Sequence, residues 1–207
     1  MTNIYSRRYK FLLDKIFVAV FIISLSPLLL LILLFQFLVY GRQVFYYQER
    51  TGYGGKTFTI VKFRTMKDLF DDQGFQLPDI YRLTKIGKIL RFYSLDEIPN
   101  MLNVLRGEMS MVGPRPLPVR FYSILQEEQK KRCSVLPGIT GLAQVSGRNN
   151  LSLSEKIFID LKYISQITLL KDLKICVQTF QQMFINSPNR ELGNQSIDKF
   201  TPKLDDN

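Results

Sequence analysis

The sequence predicts a mainly helical α+β protein that is attached to a membrane through its N-terminal segment. Three observations support this prediction: an uncharged apolar run near the N-terminus, two short β-prone runs joined by glycines, and several amphipathic segments with helical spacing. The 207 residues are enough for one ordinary domain and an attachment segment. We expect the membrane segment at 1–42, a cytosolic domain at 43–185 and a polar, disordered tail at 186–207.

The apolar run at 16–40 contains no charged residue. As one helix it would rise about 37 Å, which is enough to span a hydrocarbon core of about 30 Å. Pro27 removes a backbone donor near the middle and predicts a kink or break, where Ser24 or Ser26 could bond the freed backbone groups. Each half would be too short to cross alone. Because basic residues flank both ends, we favour a re-entrant helix-break-helix over a spanning helix.

Composition limits the chemistry. The net charge of +10 and the pI of about 9.6 favour an anionic partner, such as lipid headgroups, nucleotide phosphates or nucleic acid. The chain has no histidine, which excludes Ser-His-Asp and Cys-His nucleophile systems and histidine-ligated zinc. Cys133 and Cys176 have no metal-ligand spacing and are typical of reduced thiols in the cytosol.

The β-prone runs at 45–48 and 58–63 predict a hairpin. The glycines between them lack the strand-to-helix context of a nucleotide-binding fingerprint, so they indicate a turn. Lys62 and Arg64 lie on one face of the second strand, where each alone is explained as a solvated charge.

Helices are predicted farther along the chain, separated by loops at 68–78 and 112–118 and a turn at 137–141. They are expected at 86–92, 98–105, 119–132, from Ser154 onward, and at 172–185. The last is amphipathic, so it could lie in the membrane interface or pack on the core of the domain.

Asp96 and Glu97 allow two interpretations. Ser94 with Glu97 fits a capping box, and acidic residues are favoured in the first turn of any helix. The same helix start would keep an aspartate ionised, attract phosphate and supply a nucleophile toward phosphorus, with glutamate oxygen available to Mg²⁺. Arg91 and Arg115 are close in sequence and suit phosphate recognition, although a structural salt bridge is the alternative for Arg115.

Over about residues 9–184 the chain resembles a known family, the bacterial sugar transferases, which are monotopic polyprenyl-phosphate phosphoglycosyl transferases. The resemblance rests on several blocks in the family's order. These are Ser26-Pro27, residues 62–66, Arg91 with residues 94–99, residues 103–110, residues 112–116, and residues 137–141 leading to 143–149. The short chain is similar to the small members, such as the bacillosamine-phosphate transferases of N-glycosylation.

The resemblance implies an enzyme that moves a sugar-1-phosphate from a UDP-sugar to undecaprenyl phosphate and releases UMP. It implies a place at the cytoplasmic face of the bacterial inner membrane, with membrane lipids and no nucleic acid as partners. The product would prime surface polysaccharide or glycoprotein glycan synthesis. Asp96 would attack the sugar-linked phosphorus and form a covalent phospho-sugar intermediate, with Mg²⁺ held by Glu97 and Asp96. The break at Ser26-Pro27 would make the membrane helix re-entrant.

The resemblance also implies a set of residues that bind substrate or phosphate. They are Lys62, Arg64, Arg91, Arg115, Gln144, Arg148, Asp160 and Tyr163. Asp160 and Tyr163 match an Asp-x-x-Tyr pattern, which i, i+3 packing on a helix explains nearly as well. Leu142 stands where many members carry Trp, so sugar preference does not carry over from the family.

Two alternatives stay open at this point. A non-catalytic, basic peripheral membrane protein that binds anionic lipid would explain the charge and the apolar run. It would leave the ordered Asp-Glu and Pro-Arg-Pro blocks without a purpose. The second alternative is an enzyme of the same kind whose N-terminal helix spans the membrane.

Overall fold

The computed structural model describes residues 9–147 and 151–184. In this part of the chain one long N-terminal helix lies against a small domain of short helices and two small sheets, which confirms the mainly helical α+β class. The helices are α1 Lys10–Tyr40, α2 Asp79–Arg82, α3 Lys85–Phe92, α4 Met101–Arg106, α5 Val119–Tyr122, α6 Glu127–Lys130, α7 Leu142–Ser146, α8 Leu153–Ser165 and α9 Leu169–Phe184. The predicted tail at 186–207 lies outside the described residues.

Helical backbone continues from Lys10 to Tyr40 through Pro27, so no non-helical stretch separates two helices, and a kink at Pro27 with a re-entrant placement remains a prediction. Pro27 cannot donate to the carbonyl of Ile23, but the Ser26 hydroxyl donates to that oxygen instead at 2.8 Å. The Ser24 hydroxyl likewise donates to the Val20 carbonyl at 2.9 Å. These bonds satisfy backbone groups near the proline, and the helix therefore continues through it.

Both halves of α1 contact the same domain. Val18, in the first half, is fully buried and packs with Ile60, Met101 and Val104. Ile32, in the second half, packs on Phe63 and Leu90, and the Tyr40 hydroxyl lies 2.7 Å from the Thr84 hydroxyl. Much of the remaining surface of α1 exposes large apolar side chains. Among the described helices, α1 is long and apolar enough to cross a membrane.

The start of α1 is held by buried charges. The Asp14 carboxylate accepts from the Ser110 hydroxyl at 2.5 Å and from the Met111 amide at 3.2 Å. The Lys10 ammonium pairs with Asp172 of α9 at 2.5 Å. Ionic groups this well buried are tolerated because they are paired and hydrogen-bonded. The first turns of α1 are thereby fixed to the domain.

The predicted hairpin is confirmed. Strands β1 (Phe45–Thr51) and β2 (Thr57–Phe63) are antiparallel, with Phe45 opposite Phe63 and Thr51 opposite Thr57. Gly54 and Gly55 in the turn have φ of 62° and 78°, which an L side chain rarely adopts. The glycine run is therefore a turn, as its sequence context indicates.

A second sheet was not predicted. Strands β3 (Ser110–Val112) and β4 (Gly138–Thr140) pair in parallel, whereas 137–141 was expected to be only a turn. Three-residue strands are too short to show a two-residue hydrophobic period. A Cβ on Gly138 would lie 2.1 Å from the Gly113 amide nitrogen, so this close pairing requires glycine.

Two regions that were each predicted to be a single helix consist of several shorter elements. The helix expected at 119–132 is split into α5, α6 and a 3-10 turn at Lys131–Ser134, because Gln126 starts a new helix through a capping box with Gln129. The helix expected at 98–105 consists of a 3-10 turn at Leu95–Asn100 and then α4.

Helix α9 packs on the core through Ile175, which is 1% exposed. Its opposite surface exposes large apolar side chains, namely Leu169, Leu170, Leu173, Val177 and Phe180. Core packing is thus observed, and a place for the exposed surface in the membrane interface remains a prediction.

Candidate active site

The chain turns sharply between α3 and the Asp96-Glu97 pair. Ser94 has φ 54° and ψ 23°, the left-handed conformation, which is uncommon for a residue other than glycine. Its side chain makes no capping hydrogen bond, so the predicted capping box with Glu97 is wrong. The Glu97 side chain instead contacts two cations.

Glu97 is held by Lys62 of β2 and by Arg115. The Glu97 Oε1 accepts from the Lys62 Nζ at 2.7 Å and from the Arg115 Nη2 at 2.6 Å, while its Oε2 accepts from the Arg115 Nη1 at 3.3 Å. Burial alone would raise the pKa of Glu97. The charges and hydrogen bonds of Arg115 and Lys62 outweigh burial and hold that pKa well below its ordinary value. Glu97 is therefore a permanent carboxylate.

Asp96 is in a different environment from Glu97. Within residues 9–147 and 151–184, no hydrogen bond to its carboxylate is recorded. Burial and then the neighbouring Glu97 charge raise the pKa of Asp96 to about 6, although Lys62, Arg91 and Arg115 act in the opposite direction. Near neutral pH this carboxylate is mostly ionised and is more basic than an ordinary aspartate. Such a group suits nucleophilic attack.

A small cleft opens beside Glu97. Its walls come from both sheets, the 3-10 turn and the loops that follow β3 and α4. The lining residues are Arg50, Ile60, Lys62, Glu97, Asn100, Met109, Arg115, Pro116, Gly138 and Ile139. Three of these side chains are cationic and one is anionic, so the cleft carries a net positive charge suited to phosphate.

Two other predicted cations lie outside the cleft lining. The Arg91 Nε donates to the Thr65 hydroxyl at 2.9 Å, and the charge of Arg91 lowers the pKa of Asp96, so it lies close to the pair. Arg64 instead pairs with Asp68 at 2.6 Å. A direct role for Arg64 in binding phosphate has no geometric support in these contacts.

The other residues predicted to bind substrate do not line the cleft within the described part of the chain. Gln144 donates to the carbonyl of Ile139 in the cleft wall at 2.9 Å, while its own Oε1 is buried without a hydrogen bond among the described residues. Arg148 lies outside the described residues. Asp160 and Tyr163 are 3% and 1% exposed, so neither reaches the cleft surface.

Asp160 and Tyr163 bond to protein groups. Asp160 pairs with Arg132 at 2.6 Å, and the Tyr163 hydroxyl donates to Asp172 at 2.7 Å and to the Val112 carbonyl at 3.2 Å. These contacts agree with the packing explanation of the Asp-x-x-Tyr pattern. Direct contact of either residue with substrate remains a prediction without support from these contacts.

Sequence reasoning missed three residues around the site. Arg50 ends up in the cleft because β1 pairs with β2, and its guanidinium donates to Gln48. Asn100 also lines the cleft, where its Oδ1 accepts from the Val61 amide at 3.1 Å. Arg132 lies behind the cleft, where its Nη2 donates to the Arg115 carbonyl at 2.8 Å. The position of Arg50 beside a predicted hairpin turn was an available signal, whereas nothing local marks Asn100.

A divalent cation would have two carboxylates available here. Among the described residues, no group of three or more acidic, cysteine or histidine side chains is arranged as a metal site. Magnesium commonly uses one or two carboxylates together with substrate phosphates and water. The Asp96 carboxylate, which makes no hydrogen bond in the described part of the chain, and the Glu97 Oε2, which accepts one long bond of 3.3 Å, fit this hard-oxygen donor set.

These features define a class of protein: an enzyme with a long apolar helix and a cationic, carboxylate-bearing cleft suited to phosphorylated substrates. Comparison with known families makes the class specific. The family described as bacterial sugar transferase matches residues 5–186. The chain belongs to this family and is a sugar transferase.

Relatives from several bacteria support the assignment. The chain is 42% identical over 161 residues to the uncharacterized sugar transferase EpsL of Bacillus subtilis (strain 168), covering 78% of this chain and 80% of the relative. It is 37% identical over 183 residues to the exopolysaccharide production protein ExoY of Sinorhizobium fredii, covering 80% and 81%. It is 38% identical over 185 residues to a UDP-glucose:undecaprenyl-phosphate glucose-1-phosphate transferase of Caulobacter vibrioides, covering 82% and 67%.

We predict that Asp96→Asn stabilises the protein above pH 6. The folded pKa of Asp96, about 6, lies above its ordinary value of 3.8, so ionising Asp96 costs the folded state free energy as pH rises through this interval. The variant should gain about 1–3 kcal/mol at pH 7.5 and little at pH 3.5, where Asp96 is protonated in the folded state and mostly protonated in the unfolded state. Denaturant unfolding in detergent and EDTA measures the difference.

The matched control is Asp72→Asn, which removes a carboxylate from an exposed loop and should leave the midpoint unchanged at both pH values. A lower midpoint for Asp96→Asn than for wild type at pH 7.5 would contradict the environment described for Asp96.

Proposed function

We propose that this chain transfers a sugar-1-phosphate from a UDP-sugar to undecaprenyl phosphate and releases UMP. The observation that carries the proposal is the pairing of Asp96, which is basic and makes no hydrogen bond within the described residues, with Glu97, which two cations hold ionised. The relative from Caulobacter vibrioides is named for this reaction with glucose. Family membership disfavours the non-catalytic membrane protein considered from the sequence.

The first step is nucleophilic attack by Asp96. A carboxylate oxygen forms a bond to the phosphorus that carries the sugar, and the bond from that phosphorus to the bridging diphosphate oxygen breaks. UMP leaves with the electron pair, and the sugar phosphate remains on Asp96 as an acyl phosphate. A pKa of about 6 suits this role because the group is mostly ionised at neutral pH and is more nucleophilic than an ordinary aspartate.

The second step transfers the sugar phosphate to the lipid and regenerates the Asp96 carboxylate. An oxygen of the polyprenyl phosphate attacks the same phosphorus, and the bond between phosphorus and the Asp96 oxygen breaks. The product carries a diphosphate between lipid and sugar, and the aspartate is regenerated as a carboxylate.

Lys62 and Arg115 assist both steps in this proposal. Each already bonds to Glu97, and each presents positive charge toward the cleft. Phosphoryl transfer is catalysed mainly by positioning and by stabilising charge on the phosphate oxygens. Glu97 holds the two cations at fixed positions, so little reorganisation is needed when the diphosphate binds.

Magnesium is the proposed cofactor. Asp96 and Glu97 would hold the ion, and its fit rests on the two carboxylates described above. When bound, the ion would neutralise diphosphate charge. Lys62 and Arg115 would continue to bind phosphate oxygens and orient the substrate.

We propose that α1 is re-entrant at the cytoplasmic face of the inner membrane, and the contacts at both ends of α1 support the re-entrant part of this proposal. Asp14 near its start and Tyr40 at its end both bond to the same domain. A helix that crossed the bilayer completely would carry its two ends to opposite sides, away from a common partner. A helix that bends at Pro27 and enters and leaves through one leaflet would keep both ends at the domain.

The proposed product would prime a surface polysaccharide, since the relative from Sinorhizobium fredii is named for exopolysaccharide production. A glycoprotein glycan is the other destination that the sequence resemblance implies. Testing a panel of UDP-sugars for UMP release identifies the sugar.

We expect Asp96→Asn to lower UMP release at least about 10³-fold, because the amide cannot form the acyl phosphate. Wild-type protein given a UDP-sugar without lipid should release about one equivalent of UMP and gain the mass of one sugar phosphate on the peptide that contains Asp96. Asp72→Asn is the control and should react normally. Full turnover by Asp96→Asn, or a wild-type protein that releases UMP only when lipid is present, would contradict the covalent route.

Removal of divalent metal should stop turnover. We expect excess EDTA to lower UMP release at least about 10²-fold, and added Mg²⁺ to restore it, because neutralisation of the diphosphate would be lost. Thermal unfolding under the same conditions shows whether the fold survives chelation. Undiminished turnover in EDTA would remove magnesium from the mechanism.

Cysteine labelling tests the topology. In a Cys133→Ser, Cys176→Ser background, Thr2→Cys and the domain control Tyr53→Cys should both react with a membrane-impermeant maleimide only after right-side-out vesicles are opened. This result is expected because both ends of α1 would lie on the cytoplasmic side. Labelling of Thr2→Cys in sealed vesicles, with the Tyr53→Cys variant protected, would show a spanning helix.

A further inference from the structure

We propose that Arg132 and Asp160 are a positioning pair that holds the Arg115 loop against Glu97, an inference that rests on the function proposed above. Neither side chain reaches the cleft: the two are 5% and 4% exposed. They act on the reaction through the backbone of Arg115.

The loop that presents Arg115 has few backbone N–H groups that can donate hydrogen bonds. Pro114 and Pro116, on either side of Arg115, have no backbone N–H, so this stretch is fixed mainly through its carbonyl oxygens. The Pro114 carbonyl accepts from the Gly138 amide at 2.9 Å, and the Leu117 carbonyl accepts from the Thr51 amide at 2.9 Å. The carbonyl between them, that of Arg115, accepts from the Arg132 Nη2 at 2.8 Å.

Asp160 fixes the guanidinium that makes this bond. The Arg132 Nη2 lies 2.6 Å from the Asp160 Oδ2, and the Arg132 Nε donates to the same oxygen at 3.2 Å. One nitrogen of Arg132 therefore joins Asp160 on α8 to the backbone of Arg115. A planar guanidinium with several fixed donors can make these contacts together, whereas a lysine ammonium has no such fork.

The bond bears on the site because of what the Arg115 side chain does. Its guanidinium reaches Glu97 at 2.6 Å and lines the cleft beside Lys62. A shift of about 1 Å in the Arg115 backbone would loosen this contact, and displacements of that size can cost about 10²-fold in rate. The Arg132–Asp160 pair also buries two charges at a desolvation cost, so stability alone is a weak reason for it.

The test is a double-mutant cycle on the full-length protein in detergent, with UMP release as the rate. Arg132→Lys and Asp160→Asn should each lower kcat about 10-fold or more. Their thermal midpoints show whether each variant is folded at the assay temperature. Arg115→Met alone should also lower kcat. In the Arg115→Met background, adding Arg132→Lys should change kcat by less than about 2-fold, because the residue being positioned is already gone. Lys131→Met, which removes the neighbouring exposed cation that pairs with Glu128, is the control and should behave as wild type.

Three results would overturn the positioning role. The first is wild-type kcat in both Arg132→Lys and Asp160→Asn. The second is a loss of kcat from Arg132→Lys that is as large in the Arg115→Met background as in the wild type. The third is loss of folding in both single variants, which would make the pair structural. The proposed function fails separately, in the wild type: if no UDP-sugar yields UMP, both proposals are rejected.

Discussion

The ion pairs at Glu97 join three parts of the chain that are far apart in sequence. Lys62 comes from the hairpin, Glu97 from the 3-10 turn after α3, and Arg115 from the proline-flanked loop after β3. Half-buried charges of this kind are costly unless they are paired, so the three segments can approach only in an arrangement that satisfies them together. The cleft, its positive charge and the contrasting states of the two carboxylates all depend on this arrangement.

The two neighbouring carboxylates differ in pKa because their surroundings differ, and not because one is an aspartate and the other a glutamate. Glu97 has the bonds to cations, and its negative charge together with burial makes Asp96 harder to ionise. Glu97 therefore fixes the two cations, whereas the Asp96 carboxylate makes no hydrogen bond within the described residues. Pairs of titratable groups whose pKa values are pushed apart are a recurring sign of divided roles in active sites.

The sequence was informative where a single local pattern decides the structure. The hairpin follows from β-prone runs around glycines, and the Asp96-Glu97 pair stands out through nearby arginines. It failed where tertiary contacts decide. Ser94 and Glu97 have the residue types and spacing of a capping box, yet the Glu97 side chain bonds to two cations that are far away in sequence and not to a backbone amide. The helix expected at 119–132 is divided at Gln126, and Arg132 and Arg50 acquire their positions only through long-range packing.

The attachment of α1 at both ends has a consequence for how substrates arrive. Because Asp14 and Tyr40 bond both ends of the apolar helix to the domain that holds the cleft, these contacts set the position of the cleft relative to that helix. If this helix anchors the enzyme and the proposed function holds, a lipid-borne acceptor would reach the cleft by lateral diffusion in a plane, while a nucleotide sugar would reach it from the bulk solution. The rate of the enzyme would then follow the surface density of one substrate and the volume concentration of the other.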